Sequence, residues 1–136
     1  MTPGDFNDGD KDNLPGLLGV EVTSVEKGRI EAKLELQQHH LAINSYLHAG
    51  TILTLADSAA GYGCQADLPE GAIGFTTMEM KSNHLSTATE GTICCVAERL
   101  HAGRNTQVWE ATVTSEVTGK MLAKFMCSQM ILYPRR

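Results

Sequence analysis

Apolar and polar residues alternate from Ile30 to Leu36: Ile30, Ala32, Leu34 and Leu36 are separated by Glu31, Lys33 and Glu35. This is the period-two pattern of a half-buried strand. Val20, Val22 and Val25 precede it and lead into a turn at Glu26-Lys27-Gly28-Arg29, so the two runs predict a β-hairpin. The pattern then changes. From His48 through Gln65 the chain reads HAGTILTLADSAAGYGCQ, with no strand alternation and no proline. Its Ala- and Leu-rich composition predicts a buried helix, and Pro69 closes the region. Four further strands are expected over Ile73 to Leu85, Gly91 to Leu100, Thr106 to Val117 and Met121 to Leu132, and turn residues bound each of them. Ala102-Gly103-Arg104-Asn105 and Thr118-Gly119 carry the signature of tight hairpin connections. Two strands, one long apolar helix and four antiparallel strands predict an α+β fold, with one curved antiparallel sheet wrapped around a central helix. Residues 1–13 hold four Asp and few apolar groups and read as a flexible arm. Residues 14–136 read as a single domain, opening with Leu14-Pro15-Gly16-Leu17-Leu18-Gly19 as a docking segment.

Composition narrows the function classes. A chain of 136 residues has room for one core, and 42% hydrophobic content is that of a globular protein. A formal charge of −5 argues against a sequence-independent nucleic-acid binder, which needs a basic footprint. The acidic run Thr2 to Asn13 lacks the form of a secretory signal, and no segment reaches membrane-spanning length, so a cytoplasmic location is expected. Cys64, Cys94, Cys95 and Cys127 have no CxxC spacing and are expected as reduced core thiols. His39, His40, His48 and His84 match no closed metal site, and no metal is expected. Met78, Met80, Met126 and Met130 are expected as core or interface filler.

The central helix carries the candidate chemistry. At about 100° per residue, Gly50, Thr54, Asp57 and Gly61 fall on one stripe, while Ile52, Leu53, Leu55, Ala56, Ala59 and Ala60 cover most of the rest. Asp has poor helix propensity, and burying its charge without partners is expensive. Two readings of Asp57 stay open on these residues alone: a carboxylate held in a pocket beside the helix, or one bonded to the hydroxyl of Ser58 or Thr54. His48-Ala49-Gly50 leads into the helix, where unpaired N–H groups and the positive end of the dipole suit a polarised carbonyl.

These residues resemble the hotdog-fold acyl-CoA thioesterases, specifically the PaaI-like and hydroxybenzoyl-CoA thioesterase group. That group opens its helix with His-Gly-Gly and places Leu-Ala-Asp or Leu-Ala-Glu nine residues after the His. Here the run is His48-Ala49-Gly50-Thr51-Ile52-Leu53-Thr54-Leu55-Ala56-Asp57. The resemblance spans roughly residues 14–133 and takes in the opening Leu-Pro-x-Leu-Leu-Gly-Val element, Lys-Ser-Asn-His-Leu in the third strand and Gly103-Arg104.

The resemblance implies hydrolysis of an acyl- or aryl-CoA to the free acid and CoA, with a lean towards aryl esters. It implies no cofactor, CoA being part of the substrate. Asp57 would act as nucleophile or as general base, and the Ala49 N–H would polarise the thioester carbonyl of a substrate lying along the helix. Thr77, with Thr76 as fallback, would place the attacking water from the other subunit. His48 would fix the helix entry. Arg104 and Asn105 would meet the CoA arm, helped by Arg99 and His101, and Gly50 would border the substrate. The family's Asn or Gln six residues before the His is Ala42 here, so Asn44 or Gln38 would have to replace it. A homodimer with sites at its interface, often doubled to a homotetramer, is implied as well. Two other functions share the fold. A non-catalytic acyl-CoA sensor would not need Asp57. A hydratase would place a His a few residues beyond the Asp, whereas none follows Asp57 until His84.

Overall fold

The computed structural model describes residues 1–135. Six antiparallel strands form one sheet: β1 (Glu21–Glu26), β2 (Arg29–Glu35), β3 (Gly74–His84), β4 (Thr92–Ala102), β5 (Thr106–Ser115) and β6 (Met121–Leu132). Their order across the sheet is β1-β2-β4-β5-β6-β3. Helix α3 (Ala49–Ala66) links β2 to β3, which lies at the opposite edge, so the chain crosses a whole face of the sheet along this helix. This is the expected hotdog arrangement, a curved sheet around one long helix. The predicted hairpin turns at Lys27-Gly28, where Gly28 takes φ +74, a conformation that Gly adopts without a Cβ penalty.

The sheet's inner face supplies half of the core. Ile30 and Leu34 on β2, Ile93 on β4, Trp109 and Val113 on β5 and Phe125 on β6 are all buried. From the other side α3 buries Ile52, Leu55, Ala56, Ala59, Ala60, Gly63 and Cys64. Fully burying a side chain such as Leu55 is worth roughly 1.5–3 kcal/mol. The small residues decide how closely the helix can lie: a Cβ on Gly63 would sit 2.2 Å from Trp109 Cη2. The stripe Gly50, Thr54, Asp57 and Gly61 is instead only half-buried, on the flank of the helix.

Residues 1–13, expected as a flexible arm, contain a docked helix, α1 (Pro3–Gly9). Thr2 caps it in a reciprocal box with Asp5, and Pro3 occupies its first turn. Phe6 is buried and stacks on Tyr62 with ring centroids 4.5 Å apart. The Asn7 side chain accepts from the Val22 N–H at 2.8 Å and donates to the Val22 carbonyl at 3.0 Å, which covers the β1 edge of the sheet. A seven-residue helix is not stable alone, so these tertiary contacts hold it. The docking segment forms α2 (Leu14–Leu18), ended by Gly19 at φ +91.

Candidate active site

Asp57 lies in the third turn of α3, amid Ala56, Ser58 and the buried Leu55 and Ala60. Its Oδ1 is buried and has no hydrogen-bond partner among the described residues. Burial pushes its pKa above the ordinary carboxylate range. Of the two readings left open by the sequence, a bond to the Ser58 or Thr54 hydroxyl is not formed at Oδ1: Thr54 instead donates to the Gly50 carbonyl at 3.0 Å. Asp57 borders a cleft of about 450 Å³ that Ser58, Gly61, Tyr62 and Gln65 of α3, Phe75 and Thr77 of β3, and α1 also line. The volume is within the usual range for a small-molecule site.

Thr77 was expected to reach across from another subunit. The structure places it on the cleft of its own chain's Asp57, on the half-buried side of β3. A bulge follows between Thr77 and Glu79, while the fallback Thr76 points to the exposed side.

The helix start is built as its residue types demand. His48 is the N-cap, and its Nδ1 accepts from the Gly50 N–H at 2.7 Å. The Thr51 N–H donates to the His48 carbonyl at 3.0 Å. The Ala49 N–H donates to no group among the described residues, and Ala49 itself is exposed. Eight residues at about 1.5 Å each separate Ala49 from Asp57 by roughly 12 Å along the axis. A carbonyl bond spans only about 1.2 Å. One chain therefore cannot hold a carbonyl oxygen at its own Ala49 and the same carbonyl carbon at its own Asp57.

Asn44 and Gln38 lie outside the Asp57 cleft. Asn44 Oδ1 accepts from the Tyr46 N–H at 3.1 Å in an exposed turn where Ser45 has φ +70. Gln38 opens an exposed 3₁₀ turn, Gln38–His40. His40 in that turn is buried, and both of its nitrogens are committed to the backbone. Nδ1 accepts from the Gln37 N–H at 2.8 Å, and Nε2 lies 2.6 Å from the Leu18 carbonyl, which fixes the Nε2–H tautomer. Burial lowers its pKa.

Arg104 and Asn105 form the exposed β4–β5 turn, and Arg104 lines a separate cleft of about 330 Å³ with Lys27, Arg99 and Gln107. Arg99, a suggested helper, is spoken for: it pairs with Asp67 at 3.0 Å. The Arg104 guanidinium lies over the Tyr133 ring, 5.2 Å from its centroid, and the Tyr133 hydroxyl donates to the Arg104 carbonyl. The cysteines are free thiols, and burial pushes Cys64 up to about 11 and both Cys95 and Cys127 up to about 12, away from nucleophile behaviour.

The aromatic wall of the cleft is not visible in the hydrophobic pattern of the sequence. Phe6, Tyr62 and Phe75 converge on the cleft from three distant segments. The available signal was the capping box Thr2-Pro3-Gly4-Asp5, which marks a helix start in the supposed arm.

Comparison with known proteins agrees with this architecture. The profile of the Thioesterase superfamily matches residues 44–122. A 1,4-dihydroxy-2-naphthoyl-CoA hydrolase of Listeria monocytogenes is 34% identical over 123 residues, covering 90% of this chain and 98% of that protein. The Escherichia coli protein of the same name is 29% identical over 107 residues, covering 76% of each. Among solved structures, a thioesterase from Haemophilus influenzae superposes with a TM-score of 0.90 at 22% identity, covering 98% of this chain and 92% of that one. At that identity it speaks for the fold alone. No helix among the described residues is long and apolar enough to cross a membrane.

Proposed function

The chain belongs to the thioesterase superfamily and is a thioester hydrolase, and we propose from that premise that its substrate is an aryl-CoA ester, with Asp57 as the catalytic carboxylate. One observation carries the reading: a half-buried carboxylate with an unpartnered oxygen faces a cleft walled by Phe6, Tyr62 and Phe75. A planar aryl group fits such a wall by stacking. The name of the Listeria relative, which gives a naphthoyl-CoA substrate, supports the same class.

The thioester carbonyl carbon sits beside Asp57. The carboxylate either attacks it, releasing CoA thiolate and leaving a mixed anhydride for water to open, or takes a proton from an attacking water. The Thr77 hydroxyl on the same cleft orients that water. No cofactor enters the chemistry.

Because Ala49 and Asp57 of one helix are roughly 12 Å apart, the polarising N–H comes from a second copy of the chain. Two features favour such a pair. Strand β3 is an eleven-residue edge of the sheet, whereas the β1 edge is covered by α1. Ile43 and Tyr46 near the start of α3, with Met78 and Met80 on β3, are large exposed apolar side chains that pairing would cover. The dimer doubles to a tetramer. His48 holds the helix entry so that the Ala49 N–H stays free, and Gly50, which borders the substrate, leaves room for the His48 ring that a Cβ would meet at 3.0 Å. Arg104 and Asn105 meet the phosphates of CoA, and Asn44 borders the substrate from the loop before α3. The enzyme works in the cytoplasm.

Proline at the first position of a helix removes an N–H without opposing the fold. Ala49→Pro should therefore stay folded and lose about 10²–10³ in kcat, the usual cost of one oxyanion donor. Mixed dimers of Ala49→Pro and Asp57→Asn chains contain one site with both groups intact, so mixing two weak variants should restore activity. No restoration, with exchange of subunits demonstrated, would sink the two-chain site. Tight CoA-ester binding without turnover in the wild type would turn the reading to a sensor.

A further inference from the structure

Helix α1 builds the cleft wall that faces Asp57, although ester hydrolysis as such does not require it. Met1, Asp5, Phe6, Gly9 and Asp10 line the cleft from this side. Phe6 is 6% exposed and stacks on Tyr62 of α3 with an interplanar angle of 28°. The Tyr62 hydroxyl donates to Asp10 at 2.5 Å, which ties the end of α1 to α3 one turn beyond Asp57. Asn7 fixes the same helix to β1 through both backbone groups of Val22. The wall is thus held from two sides and is not a loose flap. Its chemistry is specific as well: the cleft lining holds three carboxylates, Asp5, Asp10 and Asp57, and no Lys, Arg or His.

We propose that α1 is the selecting wall of the acyl pocket, with Phe6 and Tyr62 accepting a flat ring and Asp5 and Asp10 turning away acyl groups that carry a carboxylate. This rests on the reading of the Asp57 cleft as the acyl site. A flat ring gains aromatic contact with the half-buried Tyr62, which Phe6 backs from behind, that a short alkyl chain forgoes. An acyl carboxylate would meet the negative charges of Asp5 and Asp10, offset by the Met1 amino group beside Asp5 and by no Lys, Arg or His side chain of the lining. A hydroxyl on the ring meets acceptors instead. Selectivity of this kind comes from what the wall rejects as much as from what it holds.

The test compares kcat/KM for benzoyl-CoA, butyryl-CoA and succinyl-CoA in the wild type, Phe6→Ala, Phe6→Leu and the double variant Asp5→Asn/Asp10→Asn. Phe6→Leu keeps an apolar side chain at the buried position and covers the case in which Phe6→Ala unfolds. The wild type should prefer benzoyl-CoA, and both Phe6 variants should lower the benzoyl-to-butyryl ratio by about tenfold or more. The double Asn variant should raise the succinyl-to-butyryl ratio by about fivefold or more. Equal losses on benzoyl- and butyryl-CoA in Phe6→Leu, or an unchanged succinyl ratio in the double variant, would overturn the selecting wall while leaving Asp57 catalysis standing. Absence of wild-type turnover on all three esters would overturn the parent reading, and this one with it.

Discussion

Replacing Gly63 by Ala probes the contact that seats α3, and with it Asp57, against the sheet. In a helix interior the change from Gly to Ala gains about 1 kcal/mol of propensity. Here the new Cβ would lie 2.2, 2.6 and 2.8 Å from three indole carbons of Trp109. Ordinary carbon contacts are roughly 3.5–4.0 Å, so helix or ring must retreat by more than an ångström. Trp109 is fully buried, and its Nε1–H donates to Gln107 at 2.8 Å, so the ring cannot move without straining that bond. Overpacking at the upper end of its usual range costs about 3 kcal/mol, and the strained hydrogen bond about 1 more. The loss outweighs the propensity gain, leaving a net destabilisation of roughly 2–3 kcal/mol, or about 8–12 °C in Tm for a domain of this size. Gly61→Ala is the contrast. Its Cβ would lie 3.1 Å from Cζ of Phe75, the far end of a half-buried ring that can swing aside. That variant should match or slightly exceed the wild type. Urea melts at fixed protein concentration, followed by the fluorescence of Trp109, the only tryptophan, read both directly. Equal stability of Gly63→Ala and wild type, or equal losses in the two variants, would refute the packing argument.

Three further outcomes follow from the site. Burial raises the folded pKa of Asp57 above its unfolded value, so ionising it costs folded stability as pH rises through that window; Asp57→Asn should melt above wild type at about pH 8, with the gap closing below the ordinary value of 3.8, as thermal melts across pH will show. Burial lowers the folded pKa of His40, so its contribution is complete above the ordinary value of 6.5 and falls as pH drops below it; the urea midpoint of the wild type should decline there, with a shallower slope in His40→Ala. Arg104→Ala should raise KM for CoA esters by about tenfold with kcat little changed, and should leave the KM for pantetheine thioesters, which lack the nucleotide phosphates, where it was.

The sheet and the central helix were legible because their signals are local. The alternation over Ile30–Leu36 and the unbroken Ala- and Leu-rich run after His48 each need only one segment to be understood. The predicted helix start at His48 is the observed N-cap, and the strand Met121–Leu132 has the bounds expected of it. What escaped depends on distant partners. Phe6 anchors α1 only because Tyr62 lies 56 positions further along the chain, and an Asp-rich stretch judged by composition gives no hint of that. His40 reads in the sequence only as a histidine that matches no closed metal site, and its structural role depends on Leu18, which supplies a buried carbonyl for its ring. Thr77 shares a cleft with Asp57 of its own chain because α3 ends beside β3, a consequence of sheet order that spacing does not encode. The roughly 12 Å between Ala49 and Asp57 was implicit in the helical rise, but its meaning depends on treating the two groups as parts of one reaction.

Whether the Asp57 carboxylate performs the hydrolysis is decided by thiol release from a panel of acyl- and aryl-CoA esters, wild type beside Asp57→Asn. Turnover of an aryl-CoA ester should fall by about a hundredfold or more in the variant, a loss of roughly 3 kcal/mol of transition-state stabilisation, while the variant stays folded. Equal turnover by the two proteins would contradict that role and move the chemistry away from Asp57.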